Sequence, residues 1–238
     1  MAPKENIIAR GAEAVIIKKG SNVIKNRIPK SYRLTELDEK LRKIRTRSEA
    51  KIVEKLQKII PVPKIIKSNE KDKTIELEFI QGKKLSEHLE NLPYQKVCVK
   101  IGQNLAKIHD AGIIHGDLTT SNMIYVEKNN DVETKNMKNP SKNHQDNNSQ
   151  SIHERARGTH AVSKVYFIDF GLGFHSDKIE DRAVDLHLIK EALEAKHPSI
   201  FEPAFKAVMQ GYKISKNSIT VIKQLERVEK RGRYKAQY

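Results

Sequence analysis

The chain has 238 residues, of which 37% are hydrophobic and 32% charged, as expected for one large soluble domain or two small lobes sharing a cleft. It has no apolar run near the ~20 residues of a membrane-spanning helix and no apolar leader at its start. Its single cysteine, Cys98, excludes an internal disulfide. The net charge of +15 favours polyanionic partners, although a Lys-rich composition alone would give the same balance. We expect a cytoplasmic and nuclear protein with no membrane association.

Strands and one long helix are predicted for the first 82 residues. The strands are expected at 6–10, 14–18, 21–25, 65–66 and 74–80. Between residues 34 and 60, apolar side chains recur at helical intervals, and Pro61 and Pro63 end this helix. The apolar residues of the helix are Leu34, Leu37, Leu41, Ile44, Ile52, Leu56 and Ile59.

Helices dominate the sequence after Gly82. They are expected at 85–92, 94–110, 180–196, 199–213 and 217–231. Gly112 is predicted to cap the second of them. A loop at 113–122 and two short strands, 123–126 and 164–169, interrupt the helical pattern.

The order of these elements predicts an α+β chain with a sheet-rich N-terminal lobe at 1–82 and a helical C-terminal lobe at 83–238. Residues 128–163 are rich in Asn, Lys, Ser, Asp and His and almost free of large apolar side chains. Such a segment buries too little apolar surface to offset the entropy of ordering, so a disordered insertion is predicted there.

The pattern His115-x-Asp117-x-x-x-x-Asn122 is the strongest local motif. Phosphoryl transfer uses a carboxylate to orient the attacking oxygen and an amide or carboxylate oxygen to hold a metal. Asp117 suits the first role and Asn122 the second, although an Asp-rich turn with an Asn cap would look the same.

The second motif is Ile168-Asp169-Phe170-Gly171, at the end of an apolar strand. An Asp in this position can present its carboxylate to Mg²⁺. Lys25 ends an earlier strand and is suited to holding nucleotide phosphates, while Glu49 in the following helix could pair with it. Each of these two residues alone could equally be a surface charge.

These features, in this order, resemble the protein-kinase fold, and more closely the small kinase family of the KEOPS/EKC complex, which includes the p53-related protein kinase and the yeast bud-site-selection kinase. The resemblance covers nearly the whole chain outside the insertion. Its most specific segment is the catalytic loop, His115-Gly116-Asp117-Leu118-Thr119-Thr120-Ser121-Asn122. The other matching segments are Gly11-Ala12-Glu13-Ala14, Ile24-Lys25-x-Arg27, Arg45-Thr46-Arg47-x-Glu49, Ile168-Asp169-Phe170-Gly171-Leu172, Ala183-Val184-Asp185-Leu186 and Arg231-Gly232-Arg233.

The resemblance implies a minimal two-lobed, single-domain serine/threonine kinase or ATPase that binds ATP and Mg²⁺. In that reading Lys25, Glu49 and Asp117 are catalytic, Asn122 and Asp169 bind metal, and Asp185 buttresses the catalytic loop. The nucleotide would lie against Gly11, Ala12, Glu13, Ala14, Lys25, Glu78 and Ile80. The implied partners are a threonylcarbamoyl-transferase subunit and small helper subunits of a complex that makes threonylcarbamoyladenosine in tRNA.

Departures from an ordinary kinase narrow this expectation. The nucleotide loop has one glycine instead of three, Gly116 replaces the usual Arg, and little chain separates Gly171 from the next helix. We therefore expect no switching by loop phosphorylation and poor recognition of peptides. ATP hydrolysis, or phosphorylation of a few tethered proteins, fits better.

The resemblance, together with the net charge of +15, implies that the basic end of the chain contacts tRNA through Lys230, Arg231, Arg233 and Lys235. Taken alone, these residues are most simply a solvated helix terminus. Other functions remain open at this point. A stand-alone protein kinase, a small-molecule kinase of the aminoglycoside or choline type, and a pseudokinase scaffold share parts of the pattern, but Phe170-Gly171 and the short C-terminal lobe argue against the small-molecule kinase.

Overall fold

The N-terminal part combines an antiparallel five-stranded sheet with one long helix. The computed structural model describes residues 6–127 and 163–235, with side chains to residue 231. The elements are β1 (Asn6–Arg10), β2 (Ala14–Lys19), β3 (Asn22–Arg27), α1 (Thr35–Leu56), β4 (Ile65–Asn69) and β5 (Thr74–Glu78). The order of the strands in the sheet is β1-β2-β3-β5-β4. In β3, Lys25 pairs with Ile16 of β2 on one side and Ile75 of β5 on the other, so it lies on a central strand.

Helix α1 differs from its predicted pattern. Leu34, Leu37 and Ile44, part of the predicted apolar stripe, are exposed. The buried residues of this helix are polar as far as Glu49 and apolar from Ala50 onward. Asp38 pairs with Arg42, and Glu49 pairs with Lys25 of β3. The buried residues of α1 are Asp38, Thr46, Glu49, Ala50, Ile52, Val53 and Leu56.

The C-terminal part is mainly helical. Its helices are α2 (Leu85–His88), α3 (Tyr94–Asp110), α4 (Ile179–Lys196), α5 (Phe201–Tyr212) and α6 (Ser218–Lys235). Its strands are β6 (Lys83–Lys84), β7 (Ile113–Ile114), β8 (Met123–Val126), β9 (Lys164–Phe167) and β10 (Phe174–His175). Strands β6, β8 and β9 form one small sheet, and β7 pairs with β10.

A continuous hydrophobic core joins the end of α1 to the C-terminal helices. Ile52 and Leu56 of α1 belong to the same buried cluster as Leu105 of α3 and Leu186 of α4. The N-terminal and C-terminal parts are therefore joined by one shared hydrophobic core. None of the described helices is both long and apolar enough to span a bilayer.

The fold class predicted from the sequence is confirmed, and the elements differ from the prediction in detail. The predicted loop at 113–122 contains the short strand β7 and a 3₁₀ turn at Thr120–Asn122. The last helix extends through the basic end as far as Lys235. The predicted insertion at 128–163 lies, apart from Ser163, outside the described residues.

Candidate active site

A cleft of about 460 Å³ is lined by residues of the five-stranded sheet and α1 and by residues next to β8 and β9. Its volume is within the range of roughly 300–1,000 Å³ found for small-molecule sites. All residues that the sequence analysis assigned to catalysis, nucleotide or metal line this cleft: Gly11, Ala12, Glu13, Ala14, Lys25, Glu49, Glu78, Ile80, Asp117, Asn122 and Asp169. Their roles stay predictions, but their side chains share one cavity.

Four charged side chains form a compact cluster in the cleft. Lys25 is buried, with Nζ 2.8 Å from Oε1 of Glu49 and 2.6 Å from Oδ1 of Asp169. Arg27, two residues further along β3, donates from Nη2 to Oε2 of Glu49 at 2.5 Å. Two cations therefore face two carboxylates, and the cluster has no net formal charge.

Mutual attraction keeps the key members of this cluster charged. Burial alone would lower the pKa of Lys25, but the carboxylates of Glu49 and Asp169 outweigh it and raise that pKa above its ordinary value. Burial would raise the pKa of Asp169, but the ammonium of Lys25 and the hydrogen bond from the N–H of Gly171 hold it below its ordinary value. At neutral pH an ammonium and a carboxylate are thus both available to phosphates and a metal.

Asp169 has an uncommon backbone conformation. Its φ angle is +62°, in the left-handed region that side chains other than glycine rarely occupy. Strand β9 ends at Phe167, and Asp169 Oδ1 accepts a hydrogen bond from the N–H of Gly171 at 3.1 Å. Such outliers concentrate at functional sites, where the surrounding structure maintains them.

The catalytic loop brings Asp117 and Asn122 together. Nδ2 of Asn122 donates to the backbone oxygen of Asp117 at 2.9 Å and to its Oδ2 at 3.0 Å. Strand β8 begins directly after Asn122, and its first residue, Met123, pairs with Phe167 at the end of β9. This pairing carries Asn122 and Asp169 to the same end of the β8–β9 ladder.

A network of buried hydrogen bonds holds the catalytic loop in position. Asp185 on α4 is fully buried and accepts hydrogen bonds from the backbone N–H groups of His115, at 2.7 Å, and Gly116, at 2.9 Å. The ring of His109 lies between Asp185 Oδ2, 3.3 Å away, and the hydroxyl of Tyr212, 2.8 Å away. Asp185 thus has the contacts of a buttress, and α3 and α5 support it through His109 and Tyr212.

Hydrogen bonds and an ion pair hold the predicted nucleotide loop, Gly11-Ala12-Glu13-Ala14, in position. The N–H of Gly11 donates to the carbonyl of Ala14 at 2.9 Å, which closes the turn. Glu13 pairs with Arg45 of α1 at 2.7 Å, and Lys30 bonds to the carbonyl of Ala12. This loop has one glycine in place of three, and its contacts with the side chains of Arg45 and Lys30 hold it in position.

Two arginines of the cleft have no role among those predicted from the sequence. Arg27 and Arg45 both line the cavity. Arg27 could have been found from strand periodicity, because residues two apart in a strand project to the same face and Lys25 already points into the cleft. Arg45 stands in a segment that matches the family, but composition and helical periodicity do not distinguish it from neighbouring basic residues of α1, such as Arg42 and Arg47.

The residues present suit a Mg²⁺ ion that arrives with a nucleotide. Because Asn122 bonds to Asp117 through Nδ2, its amide oxygen remains available, and the side chain of Asp169 is 46% exposed. Within residues 6–127 and 163–235, no group of three or more His, Cys, Asp or Glu side chains could hold a metal ion. Mg²⁺ typically takes one or two carboxylates and completes its shell with phosphates and water, so Asn122 and Asp169 fit that pattern.

Comparison with solved structures supports a kinase-like fold. The Rio2 kinase-ADP/Mg²⁺-phosphoaspartate complex from Chaetomium thermophilum has a TM-score of 0.57 at 16% identity, covering 95% of this chain and 70% of that one. WaaP in complex with acyl carrier protein has a TM-score of 0.55 at 10% identity, covering 96% and 88%. Residues 20–132 match the RIO domain family. The chain therefore has a protein-kinase-like fold of the kind seen in RIO kinases.

Curated relatives show the family. The KEOPS complex subunit Bud32 of Pyrococcus abyssi is 37% identical over 90% of this chain and 84% of that protein. The probable serine/threonine-protein kinase BUD32 homolog of Archaeoglobus fulgidus is 34% identical over 94% of each. The chain belongs to the Bud32 family, which confirms the resemblance found in the sequence.

A longer relative has the same region as part of a larger chain. The probable bifunctional tRNA threonylcarbamoyladenosine biosynthesis protein of Methanobrevibacter smithii is 39% identical over 97% of this chain. This chain spans only 37% of that protein. The similarity therefore concerns one part of the bifunctional protein and not its whole activity.

Proposed function

We propose that this chain is the ATP- and Mg²⁺-dependent kinase or ATPase subunit of a KEOPS-type complex, and that it supports threonylcarbamoyladenosine modification of tRNA. The observation that carries the proposal is the convergence of Lys25, Glu49, Asp117, Asn122 and Asp169 on one cleft. The names of the Pyrococcus abyssi and Methanobrevibacter smithii relatives supply the complex and the modification.

Each residue has a role that its contacts support. Lys25, held by Glu49 at 2.8 Å, would bind nucleotide phosphates. Asp117 would orient the attacking oxygen of water or a hydroxyl and accept its proton, while its bond to Asn122 sets its position. Asn122 and Asp169 would hold Mg²⁺, which supplies charge neutralisation on the phosphates when bound.

Hydrolysis is favoured over phosphorylation of free peptides. Only residues 172–178 separate Gly171 from the start of α4, and this short segment includes β10. Such a segment offers little surface on which a peptide could dock. A serine/threonine kinase activity would then be directed at tethered protein partners, for which the transferase and helper subunits of the complex are the candidates.

The experiment is ATP hydrolysis by the wild-type chain and by Asp169→Asn, measured alone and with the transferase subunit and tRNA. The substitution removes the charge of a metal ligand with little change in shape. We expect the rate to fall at least about 100-fold, because metal coordination contributes several kcal/mol to charge stabilisation in the transition state.

The matched control is Glu202→Gln on α5, an exposed carboxylate outside the cleft, which should leave the rate unchanged. Equal rates for wild type and Asp169→Asn would contradict the assignment of the site. Transfer of phosphate to free peptides at rates well above hydrolysis would instead favour a stand-alone protein kinase.

A further inference from the structure

Arg27 is a buried cation beside the catalytic pair with no assigned role. It is 3% exposed and lies on β3, two residues after Lys25. Alternate residues of a strand project to the same face, and both side chains line the cleft. The unusual feature of the site is therefore a second cation next to the lysine.

Lys25 and Arg27 each contact one oxygen of the Glu49 carboxylate. Oε1 of Glu49 faces Nζ of Lys25 at 2.8 Å, and Oε2 faces Nη2 of Arg27 at 2.5 Å. A guanidinium is always charged, so Arg27 remains a cationic partner for this carboxylate under all conditions in which the protein is folded. Arg27 thus holds Oε2 of the carboxylate whose other oxygen meets Lys25.

The position of Gly171 shows how closely Arg27 is confined. A Cβ atom on Gly171 would lie 3.0 Å from Nη2 of Arg27 and 3.3 Å from Nζ of Lys25. The turn after Asp169 therefore lies beside both cations, with no space between them for a side chain at position 171.

We infer that Arg27 is a positioning residue that acts through Glu49, an inference that rests on the proposed function. In the structure described here Lys25 is held by two carboxylates, Glu49 and Asp169. When Asp169 turns to a metal, Glu49 alone must keep Lys25 directed at the phosphates. Arg27 keeps Oε1 of Glu49 in place for that task.

The chain offers a matched control for a purely structural role. Arg42 of α1 donates from Nη1 to the backbone oxygen of Arg27 at 3.3 Å and pairs with Asp38 at 2.6 Å. It ties α1 to β3 as Arg27 does, but it does not line the cleft. If Arg27 merely fastened the helix to the sheet, the loss of either arginine would have the same effect on turnover.

The test is a double-mutant cycle on ATP hydrolysis with Arg27→Met, Glu49→Gln and the double variant, together with Arg27→Lys and Arg42→Met. We expect Arg27→Met to lower kcat about 10- to 100-fold, as a displaced catalytic group does, with KM changed less than about threefold. Arg27→Lys should recover part of the loss. The double variant should be no slower than Glu49→Gln, because residues that act through one another are not additive.

Two measurements that do not depend on turnover accompany the cycle. The Kd of ADP without metal should change less than about threefold in Arg27→Met if Arg27 works through Glu49 and not on the phosphates. The thermal midpoints of Arg27→Met and Arg42→Met show how much stability each arginine contributes.

Additive losses in the double variant, together with weaker ADP binding, would overturn the inference in favour of direct phosphate contact. Equal kcat losses in Arg27→Met and Arg42→Met would overturn it in favour of a structural role. Failure of the proposed function is visible separately, as wild-type hydrolysis no faster than that of Asp169→Asn, and the inference falls with it. An active wild type matched by Arg27→Met refutes the inference alone.

Discussion

At the scale of single residues, Gly116 explains why this catalytic loop lacks the usual arginine. Its φ angle is +78°, and a Cβ atom there would lie 2.4 Å from the carbonyl oxygen of Leu172. The segment after Asp169 thus occupies the space that a side chain would need. An arginine at position 116 would therefore collide with the backbone of Leu172.

Substitution of Gly116 by Ala should therefore be worse than its backbone angle alone predicts. Gly20 is the matched control, because its φ angle is +61° and nothing lies within 4 Å of its Cβ position. We expect Gly20→Ala to cost about 1–2 kcal/mol, the cost of a left-handed conformation. Gly116→Ala should cost more and also slow ATP hydrolysis, because the loop that carries Asp117 must move.

Urea denaturation and hydrolysis rates of the two variants check this expectation. Equal losses of stability, with hydrolysis unaffected in both, would show that the backbone of Leu172 can move aside without lowering the free energy of unfolding. The explanation for the missing arginine would then be wrong.

The sequence was informative about single residues wherever they stand in a motif. Asp117, Asn122 and Asp169 were identified because fixed spacings connect them to known chemistry, and the structure gathers them in the cleft. Arg45 was not, since its partner Glu13 is remote in the chain and basic residues are abundant around it. Long-range pairing leaves no local pattern, so such residues are found only from the fold.

At the scale of elements, the contact between α3 and α5 depends on two glycines. A Cβ atom on Gly102 would lie 2.0 Å from the carbonyl oxygen of Val208, and one on Gly211 would lie 2.0 Å from that of Val99. The two helices thus approach each other backbone to backbone. Tyr212, next to Gly211, is the residue that bonds His109 beneath the catalytic loop.

Gly211→Ala should push α5 away from α3. Overpacking of this kind costs typically about 1–3 kcal/mol, and here it also displaces the hydroxyl of Tyr212. We expect a lower thermal midpoint and slower ATP hydrolysis. Gln210→Ala, an exposed neighbour on the same helix, is the control and should change neither. A Gly211→Ala variant as stable as the control would mean that the helices can separate freely.

Element positions were predicted well, but one helix face was not. The ends of α4 and α5 lie within two residues of the expected ranges, since apolar periodicity marks helices that pack on a core. For α1 the apolar stripe was misleading, because Leu37 and Ile44 are exposed while Glu49 is buried. A buried charge is stable only with its partners, and those partners come from β3, which periodicity within α1 cannot reveal.

At the scale of the whole molecule, the positive charge and the last helix bear on the tRNA contact that we propose for the basic end of the chain. Arg231 pairs with Glu180 at 2.6 Å, and Lys190 pairs with Glu229 at 2.7 Å, so ion pairs join α6 to α4 near this end. Because Arg231 already has a carboxylate partner, it is left out of the substitution below. Lys230 is exposed, and the side chains of Arg233 and Lys235 lie outside the described part of the chain.

We predict that replacing Lys230, Arg233 and Lys235 with Gln weakens tRNA binding and flattens its dependence on salt. Each lost phosphate contact should reduce the slope of log K against log salt by roughly 0.7–0.9. The control replaces Lys206, Lys213 and Lys216, which are exposed in or after α5, and makes the same change in net charge. Equal slopes for the two triple variants would show that only the total charge matters.

The general arrangement of the molecule was accessible from the sequence because motif order and family resemblance agree. The sheet, the long helix and the helical C-terminal part appear as expected, and the relatives confirm the family. The meeting of α3 with α5, the pairing of β7 with β10 and the extension of α6 were not foreseen. These depend on packing between distant segments, for which a single sequence contains no direct record.

The ladder between β8 and β9 has a consequence for how this protein can change. One end of it, at Met123 and Phe167, adjoins Asn122 and the turn at Asp169, and the other end is at Val126 and Lys164. A change in chain length between Val126 and Lys164 would therefore enter at the end of the ladder that lies away from the cleft. Evolution, or an engineer adding a tag, could vary the chain there while the strand pairs keep Asn122 and Asp169 side by side.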